Sequence, residues 1–165
     1  MKKIIALILL SALLLGGCGS SSSEETVKFY YLRGNMEYGA PDGAISYEER
    51  DVSGHKNNPK YLLSLYFQGP LDPNLVSPYP TSFRTLKVQV SDDQIHVALD
   101  PSFNTLKDLD LTIACVCLAR TCMSIADTDT VIIESIASDG TVLLNKTITA
   151  DDLLTEESLI PEQTQ

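Results

Sequence analysis

The sequence predicts a small α+β domain: a mixed or antiparallel sheet with two helices packed on one face. Two stretches in the middle of the chain carry this prediction, a pair of strands and a long apolar helix. Residues 83–90 alternate in character, with Leu86, Val88 and Val90 facing one way, and residues 95–99 repeat the alternation after a short turn. Each strand therefore has one face to bury and one to expose to water.

The long helix is predicted over residues 104–125, where apolar side chains recur at helical spacing in two stripes. One stripe carries Leu106, Leu109, Ile113, Val116 and Cys117, and the other carries Leu111, Cys115, Leu118, Cys122 and Ile125. A helix that is apolar on two sides needs partners on both, so we expect it inside the fold, packed across the sheet.

The other elements are predicted from β-forming composition, from periodicity and from glycine and proline positions. They are strands over 26–33, 45–52, 130–136 and 141–149, and a helix over 60–68 that starts at Asn58-Pro59 and stops at Gly69-Pro70. The near-continuous apolar run over 130–136 predicts a central strand.

The first residues have the composition of an export segment. Lys2 and Lys3 precede an apolar run over 4–15, which is shorter than the ~20 residues that cross a bilayer. The run ends in Leu15-Gly16-Gly17-Cys18, which resembles the bacterial lipoprotein processing box. That resemblance implies a diacylglycerol on the Cys18 thiol and cleavage ahead of it. The alternative is an ordinary signal peptide with a chance cysteine.

These features divide the chain into four segments. We predict a lipoprotein signal peptide over 1–17, lipidated Cys18 with a flexible tether over 18–25, the folded domain over 26–155 and a frayed tail over 156–165. Two acyl chains hold a protein stably to a bilayer. The domain is therefore expected at the outer face of the cytoplasmic membrane, anchored through Cys18.

The chain is acidic, with 12 basic and 22 acidic residues. Loss of residues 1–17 would remove Lys2 and Lys3, leaving 10 basic residues and a net charge of −12. Such a surface repels phosphate backbones, so nucleic acid is not expected as a partner. The membrane is expected to be held through the lipid and not through a basic patch.

The remaining cysteines, Cys115, Cys117 and Cys122, are odd in number. On one regular helix Cys115 and Cys122 would lie about 10 Å apart along the axis, which is too far for a disulfide. A metal site with this spacing would lack a fourth ligand. We therefore expect buried thiols that act as small apolar side chains, with no metal and no cofactor.

Acid–base or metal chemistry usually recruits a histidine, and the chain has two. His55 lies in a polar loop, and His96 lies on the solvent side of its predicted strand with Asp100 at the end of the same face. Neither has a nucleophile in a motif relation, so the prediction is a protein that is not an enzyme.

Two other groups of residues are open to a binding role. Asp92-Asp93 and Asp127-x-Asp129 contain calcium-type ligands, although solvated turns explain them better. Tyr30, Tyr31, Tyr66 and Tyr79 would suit a groove for a glycan or peptide, although core packing explains them as well.

Several landmarks, taken in order, resemble the GerMN domain. They are Phe29-Tyr30-Tyr31-Leu32, Glu48-x-Arg50-x-Val52, Leu62-Leu63-x5-Gly69-Pro70, Pro80, Val97-x-Leu99-Asp100-x-x-Phe103, Thr121, and the strand and turn from Val131 to Gly140. The chain departs from the family at residues 105–108, where a glycine or serine followed by glutamate is common, and in a longer loop over 34–44.

The resemblance implies an extracytoplasmic, non-catalytic assembly or adaptor domain. Its implied partners are sporulation, germination or cell-envelope proteins, including further copies of the chain. The alternative function is a lipoprotein that binds a small ligand or a cell-wall fragment.

Overall fold

The computed structural model describes residues 25–35, 43–79 and 83–153. The predicted signal peptide, Cys18 and the tail over 156–165 lie outside the described residues, as does Pro80. Nine elements and two short 3-10 helices follow one another in the described part of the chain. They are β1 Thr26–Arg33, β2 Ile45–Asp51, α1 Pro59–Tyr66, β3 Leu75–Val76, β4 Thr85–Val90, β5 Ile95–Leu99, the 3-10 helix Pro101–Thr105, α2 Asp108–Ala126, β6 Thr130–Ile136, β7 Val142–Thr149 and the 3-10 helix Ala150–Asp152. The predicted α+β class is confirmed.

The strands form two sheets instead of one. The first is antiparallel, in the order β2-β1-β3, and the second is mixed, in the order β4-β5-β6-β7, with β5 and β6 parallel. On the side of β1 opposite β2, the short strand β3 pairs only with Leu32 and Arg33, and α2 lies along the rest of that side. The amides of Lys28 and Tyr30 donate to Ser124 Oγ and Thr121 Oγ1, at 2.9 and 3.0 Å. Side-chain hydroxyls of a helix thus replace a strand ladder.

Helix α2 is the main internal element, as predicted, but its two stripes differ in burial. Of the second predicted stripe, Cys115, Leu118, Cys122 and Ile125 are buried. The first stripe is buried only at its ends, because Leu109 is 65% exposed and Ile113 and Val116 are half-buried. The prediction that both stripes are covered is therefore wrong for the N-terminal half of this helix.

The helix also begins later than predicted, at Asp108 instead of residue 104. The residues before it form the 3-10 helix Pro101–Thr105, whose start is capped by the Asp100 carboxylate accepting from the Ser102 amide at 2.9 Å. Pro101 has the fixed φ that suits this first position. Of the described helices, α2 is the one long and apolar enough to cross a bilayer, a test that core helices also pass. Its buried side chains belong to the same core as those of β5 and β6.

Strand β4 departs from its predicted pattern. Leu86 and Val90, expected on the buried face, are 45% and 49% exposed. The register shifts between Thr85 and Lys87, and β4 is the edge strand of its sheet, so the alternation is interrupted and the strand has a neighbour on one side only. The predicted alternation is confirmed in the neighbouring strand, β5, where Ile95, Val97 and Leu99 are fully buried.

An aromatic cluster joins the two sheets and both helices. At its centre Tyr66 stacks on Tyr31 with ring centroids 5.0 Å apart. The Tyr66 hydroxyl donates to the Tyr30 carbonyl at 3.1 Å and lies 3.0 Å from the Tyr79 hydroxyl, which in turn reaches the Ala114 carbonyl of α2 at 3.1 Å. The Tyr79 side chain thereby fixes the end of the proline-rich connection before β4 to the core.

Candidate interaction surfaces

The mixed sheet leaves one face without a helix. Side chains of its central strands that point inward join the core, and so do side chains of both α-helices. The opposite side chains form a surface that we call the histidine face: His96, Ile132, Glu134, Ile136, Val142, Asn145 and Thr147. As predicted, β6 is central, between β5 and β7, and its alternating burial places every second residue on this face.

Glu134 organises the polar centre of the histidine face. Its Oε2 atom lies 2.8 Å from His96 Nε2, and its Oε1 atom accepts from Asn145 Nδ2 at 2.9 Å. The carboxylate therefore links β5, β6 and β7 from the middle strand. The side chains of His96 and Glu134 retain 27% and 16% of their exposure, so the pair is reached by solvent only in part.

Asp100 does not join this cluster, although the sequence placed it on the same face as His96. Its carboxylate accepts from the Arg84 amide at 2.7 Å and from the amide and hydroxyl of Ser102. Burial raises the pKa of Asp100, but the hydrogen bonds from Ser102 and Arg84 outweigh it and hold that pKa below its ordinary value. Asp100 is thus occupied in the turn after β5. His55 lies elsewhere, beside Tyr61, with ring centroids 4.5 Å apart and the ring planes tilted by 39°.

A second open surface is the outer face of the antiparallel sheet, which we call the tyrosine face: Lys28, Tyr30, Leu32, Tyr47, Glu49 and Val76. The rings of Tyr30 and Tyr47 are 5.4 Å apart, and Tyr47 is 45% exposed. Lys28 Nζ lies 4.5 Å from the Tyr47 ring centroid, and the Arg120 guanidinium of α2 lies 5.7 Å from that of Tyr30. Two cations therefore contact two adjacent aromatic rings.

A cleft of about 310 Å³ adjoins this surface. Its lining residues are Tyr30, Arg120, Met123, Ser124, Ala150 and Leu153. The four tyrosines that the sequence proposed for one groove do not share it, because Tyr31, Tyr66 and Tyr79 are buried in the core. Tyr47 and Arg120 were not among the predicted binding residues. The alternation of β2 could have identified Tyr47, since it places this residue on the outer side of the strand.

The landmark pair Glu48 and Arg50 has a structural role in this fold. Both oxygens of the Glu48 carboxylate are within 3.2 Å of the Leu71 amide, and Oε2 also accepts from the Asp72 amide at 2.9 Å. Arg50 bonds Glu48 and donates to the Gly69 carbonyl at 2.7 Å. The two side chains thus hold the loop that leaves α1.

The thiols of Cys115, Cys117 and Cys122 are free and buried, as predicted. Burial raises the pKa of Cys115 to about 11 and that of Cys117 to about 12, and it raises the pKa of Cys122 as well. Residues 25–35, 43–79 and 83–153 contain no group of three His, Cys, Asp or Glu side chains that could hold a metal ion. The aspartates weighed for calcium lie in turns, with Asp127 at the end of α2 in a left-handed conformation.

The chain is similar in structure to a Clostridium perfringens protein assigned as a lipoprotein, with 16% identity and a TM-score of 0.44 over 77% of this chain and 88% of that one. It is also similar to the tandem GerMN domains of the sporulation protein GerM from Bacillus subtilis, with 13% identity and a TM-score of 0.49. That match covers 75% of this chain and 45% of the tandem structure, so the chain spans less than half of it. No protein-family model and no curated protein matches the sequence. The GerMN domain to which the sequence motifs point is among the folds that this chain is similar to, and at these TM-scores the likeness says nothing of function.

Proposed function

We propose that this protein is a non-catalytic adaptor lipoprotein, anchored outside the cytoplasmic membrane through Cys18. In this proposal the histidine face binds a partner protein of a sporulation, germination or cell-envelope complex. The observation that carries the proposal is an uncovered sheet face whose central carboxylate, Glu134, has a hydrogen-bond partner within the chain on each of its oxygens.

The composition of the histidine face suits protein binding. Ile132, Ile136 and Val142 flank the polar centre, and Val142 is 49% exposed. Glu134 has one hydrogen-bond partner on each oxygen, and both bonds can persist when another protein covers it. Burial of polar groups is costly mainly when they lose their hydrogen bonds. Covering Glu134 therefore costs less than covering a carboxylate that has no partners.

The same geometry supports a role without catalysis. His96 has a carboxylate partner in Glu134 and, among the described residues, forms no hydrogen bond with a hydroxyl or thiol. The described thiols are buried and protonated, with their pKa values raised by burial, and a protonated thiol is a poor nucleophile. The side chains that serve most often in acid–base and nucleophilic catalysis are thus engaged in holding the fold.

Anchoring is tested in the cell of origin with the full-length chain and its Cys18→Ala variant. The expected result is a diacylglycerol on Cys18 by mass spectrometry, with the protein in the membrane fraction. The Cys18→Ala variant should lose the modification and leave that fraction. Recovery of an unmodified Cys18 in the mature wild-type chain would contradict the anchor.

Partner binding is tested with a photo-crosslinking side chain at one of two adjacent positions in β7. Thr147 is on the histidine face and Lys146 on the opposite side, and both are exposed. We expect a discrete crosslinked product from position 147 but not from position 146, and its loss on Val142→Asp. Equal products from both positions, or persistence in the Val142→Asp variant, would show that the face is not the interface.

A further inference from the structure

The tyrosine face continues onto α2. The residues Leu109, Ile113, Val116 and Arg120 recur at intervals of three and four, so they lie on one side of the helix. Arg120 is the member that lies over Tyr30, and the stripe therefore leads directly to the tyrosine face. Leu109 at 65% exposure and Val76 at 48% are among the most exposed apolar side chains of the described residues.

This surface lacks the acidic excess of the chain. The protein carries a net charge of −10, and −12 without residues 1–17. On the tyrosine face and its α2 stripe, Lys28 and Arg120 are cationic, and Glu49 and Asp51, which share the outer side of β2 with Tyr47, are anionic. The surface is therefore balanced in charge where the chain is acidic. A surface of tyrosines, aliphatic side chains and cations has the composition of proteins that rest at the lipid–water interface.

The tyrosine face also lies close in sequence to the predicted lipid anchor. Lys28, Tyr30 and Leu32 belong to the first strand, which begins at Thr26, eight residues after Cys18. Seven residues of extended chain span at most about 25 Å. A domain held by Cys18 therefore keeps this strand within reach of the headgroups.

We propose that the tyrosine face lies against the bilayer to which the chain is anchored, with Tyr30 and Tyr47 at the headgroup level and Lys28 and Arg120 on lipid phosphates. The inference rests on the proposed lipid anchor and goes beyond it, because it fixes which side of the domain faces the membrane. The inner sides of both sheets share one core, so the histidine face remains turned away from the lipid. The membrane is then contacted by an aromatic patch with two cations in addition to the acyl chains, whereas the net acidity of the chain alone predicted attachment through the lipid only.

The test uses a reporter that the chain makes available, since it contains no tryptophan. Tyr47→Trp places a single tryptophan on the tyrosine face, and Val142→Trp places one on the histidine face at a position of matched exposure, 45% against 49%. Residues 18–165, which contain every described element, are coupled through the Cys18 thiol to a maleimide lipid in vesicles. The other three thiols are buried and do not compete. Vesicles consist of phosphatidylcholine with or without phosphatidylglycerol, and contain brominated lipid as a quencher.

The expected result is a blue shift and strong quenching for Tyr47→Trp on vesicles with phosphatidylglycerol, and a solution-like spectrum for Val142→Trp. Adding Lys28→Glu and Arg120→Glu to the Tyr47→Trp chain should remove most of the quenching, while the unfolding temperature stays the same. Equal quenching at both positions, or none at position 47, would overturn the proposal, and the latter would leave the surface to a protein partner. Because the anchor is supplied chemically, these outcomes are independent of whether Cys18 is lipidated in the cell and of partner binding at the histidine face.

Discussion

The amide of Tyr30 donates to Thr121 Oγ1 at 3.0 Å, joining the first strand to a helix that follows 91 residues later. Ser124 serves the Lys28 amide in the same way at 2.9 Å. A sheet edge normally presents such amides to another strand or to water. Here two hydroxyls one turn apart satisfy them, and α2 closes the edge of β1 without adding to the sheet.

Replacing Thr121 by Val should destabilise the protein by about 1–3 kcal/mol, because the side-chain volume is kept and the Tyr30 amide loses its acceptor in a buried place. Urea-induced unfolding measures the loss, and amide hydrogen exchange should accelerate at Tyr30. Thr112→Val is the matched control, since that hydroxyl is exposed and bonds only the Asp108 carbonyl of its own helix. Equal losses in the two variants would contradict this role for Thr121.

Glu48→Ala should cost about 2–3 kcal/mol, in the range of hydrogen bonds to a charged group. The carboxylate receives the amides of Leu71 and Asp72 and the Arg50 side chain. Thermal unfolding gives the loss, and exchange of the Leu71 and Asp72 amides locates it. The neighbouring Glu49→Ala should change stability by less than about 0.5 kcal/mol, because Glu49 is exposed. Unaltered exchange at Leu71 in the Glu48→Ala protein would remove this explanation.

Stability should fall in alkaline solution because of the buried thiols. Burial raises the pKa of Cys115 to about 11 and that of Cys117 to about 12, against about 8.5 in an unfolded chain. Between these values the folded state binds more protons than the unfolded state, so the free energy of unfolding decreases as pH rises, by up to about 1.4 kcal/mol per pH unit for each thiol.

The measurement for the thiols is denaturant unfolding at a series of pH values from 8 upward, limited to about pH 11. A variant with alanine at both Cys115 and Cys117 starts less stable, because it lacks buried volume, but should show a shallower decline. A decline of the same slope in this variant would assign the alkaline effect to other groups, such as the buried tyrosines, whose pKa values burial also raises.

Asp127→Gly should stabilise the protein by about 1 kcal/mol. Asp127 ends α2 with φ 53°, a left-handed conformation that costs about 1–2 kcal/mol for residues with a Cβ, and its negative charge is unfavourable at a helix C-terminus. Asp129→Gly is the control, since Asp129 is exposed and has no positive φ. Thermal unfolding compares the two, and a lower melting temperature for Asp127→Gly would show that its carboxylate has a structural role.

Most elements of the fold follow from strong local patterns and were predicted from the sequence, whereas the short strand β3 in the proline-rich connection was not. Asn58-Pro59 starts α1, with Asn58 Oδ1 accepting from the Tyr61 amide at 3.1 Å, and Gly69 follows its end with φ 96°. Burial along α2 was predicted correctly where other elements pack on both sides of the helix. It failed at Leu109, because helical spacing shows which residues share a side and cannot show that the partner layer ends before that residue.

The two sheets and the two surfaces were beyond prediction for a related reason. Whether β1 pairs with a strand or a helix depends on the hydroxyls of Thr121 and Ser124, which have no special spacing along the sequence. The position of Glu134 between His96 and Asn145 depends on the parallel pairing of β5 and β6, which brings together residues 38 positions apart. The sequence identified His96 as outward-facing, but its partner followed only from the register.

The hydroxyls that close the edge of β1 also set an order of assembly. Lys28 and Ser124 are separated by 96 residues, so a chain that emerges from its N-terminus presents its first strand long before the helix that completes it. Contacts of such sequence separation form late and slow the folding of small domains. The first strand therefore gains these two acceptors only after most of the described domain has been synthesised.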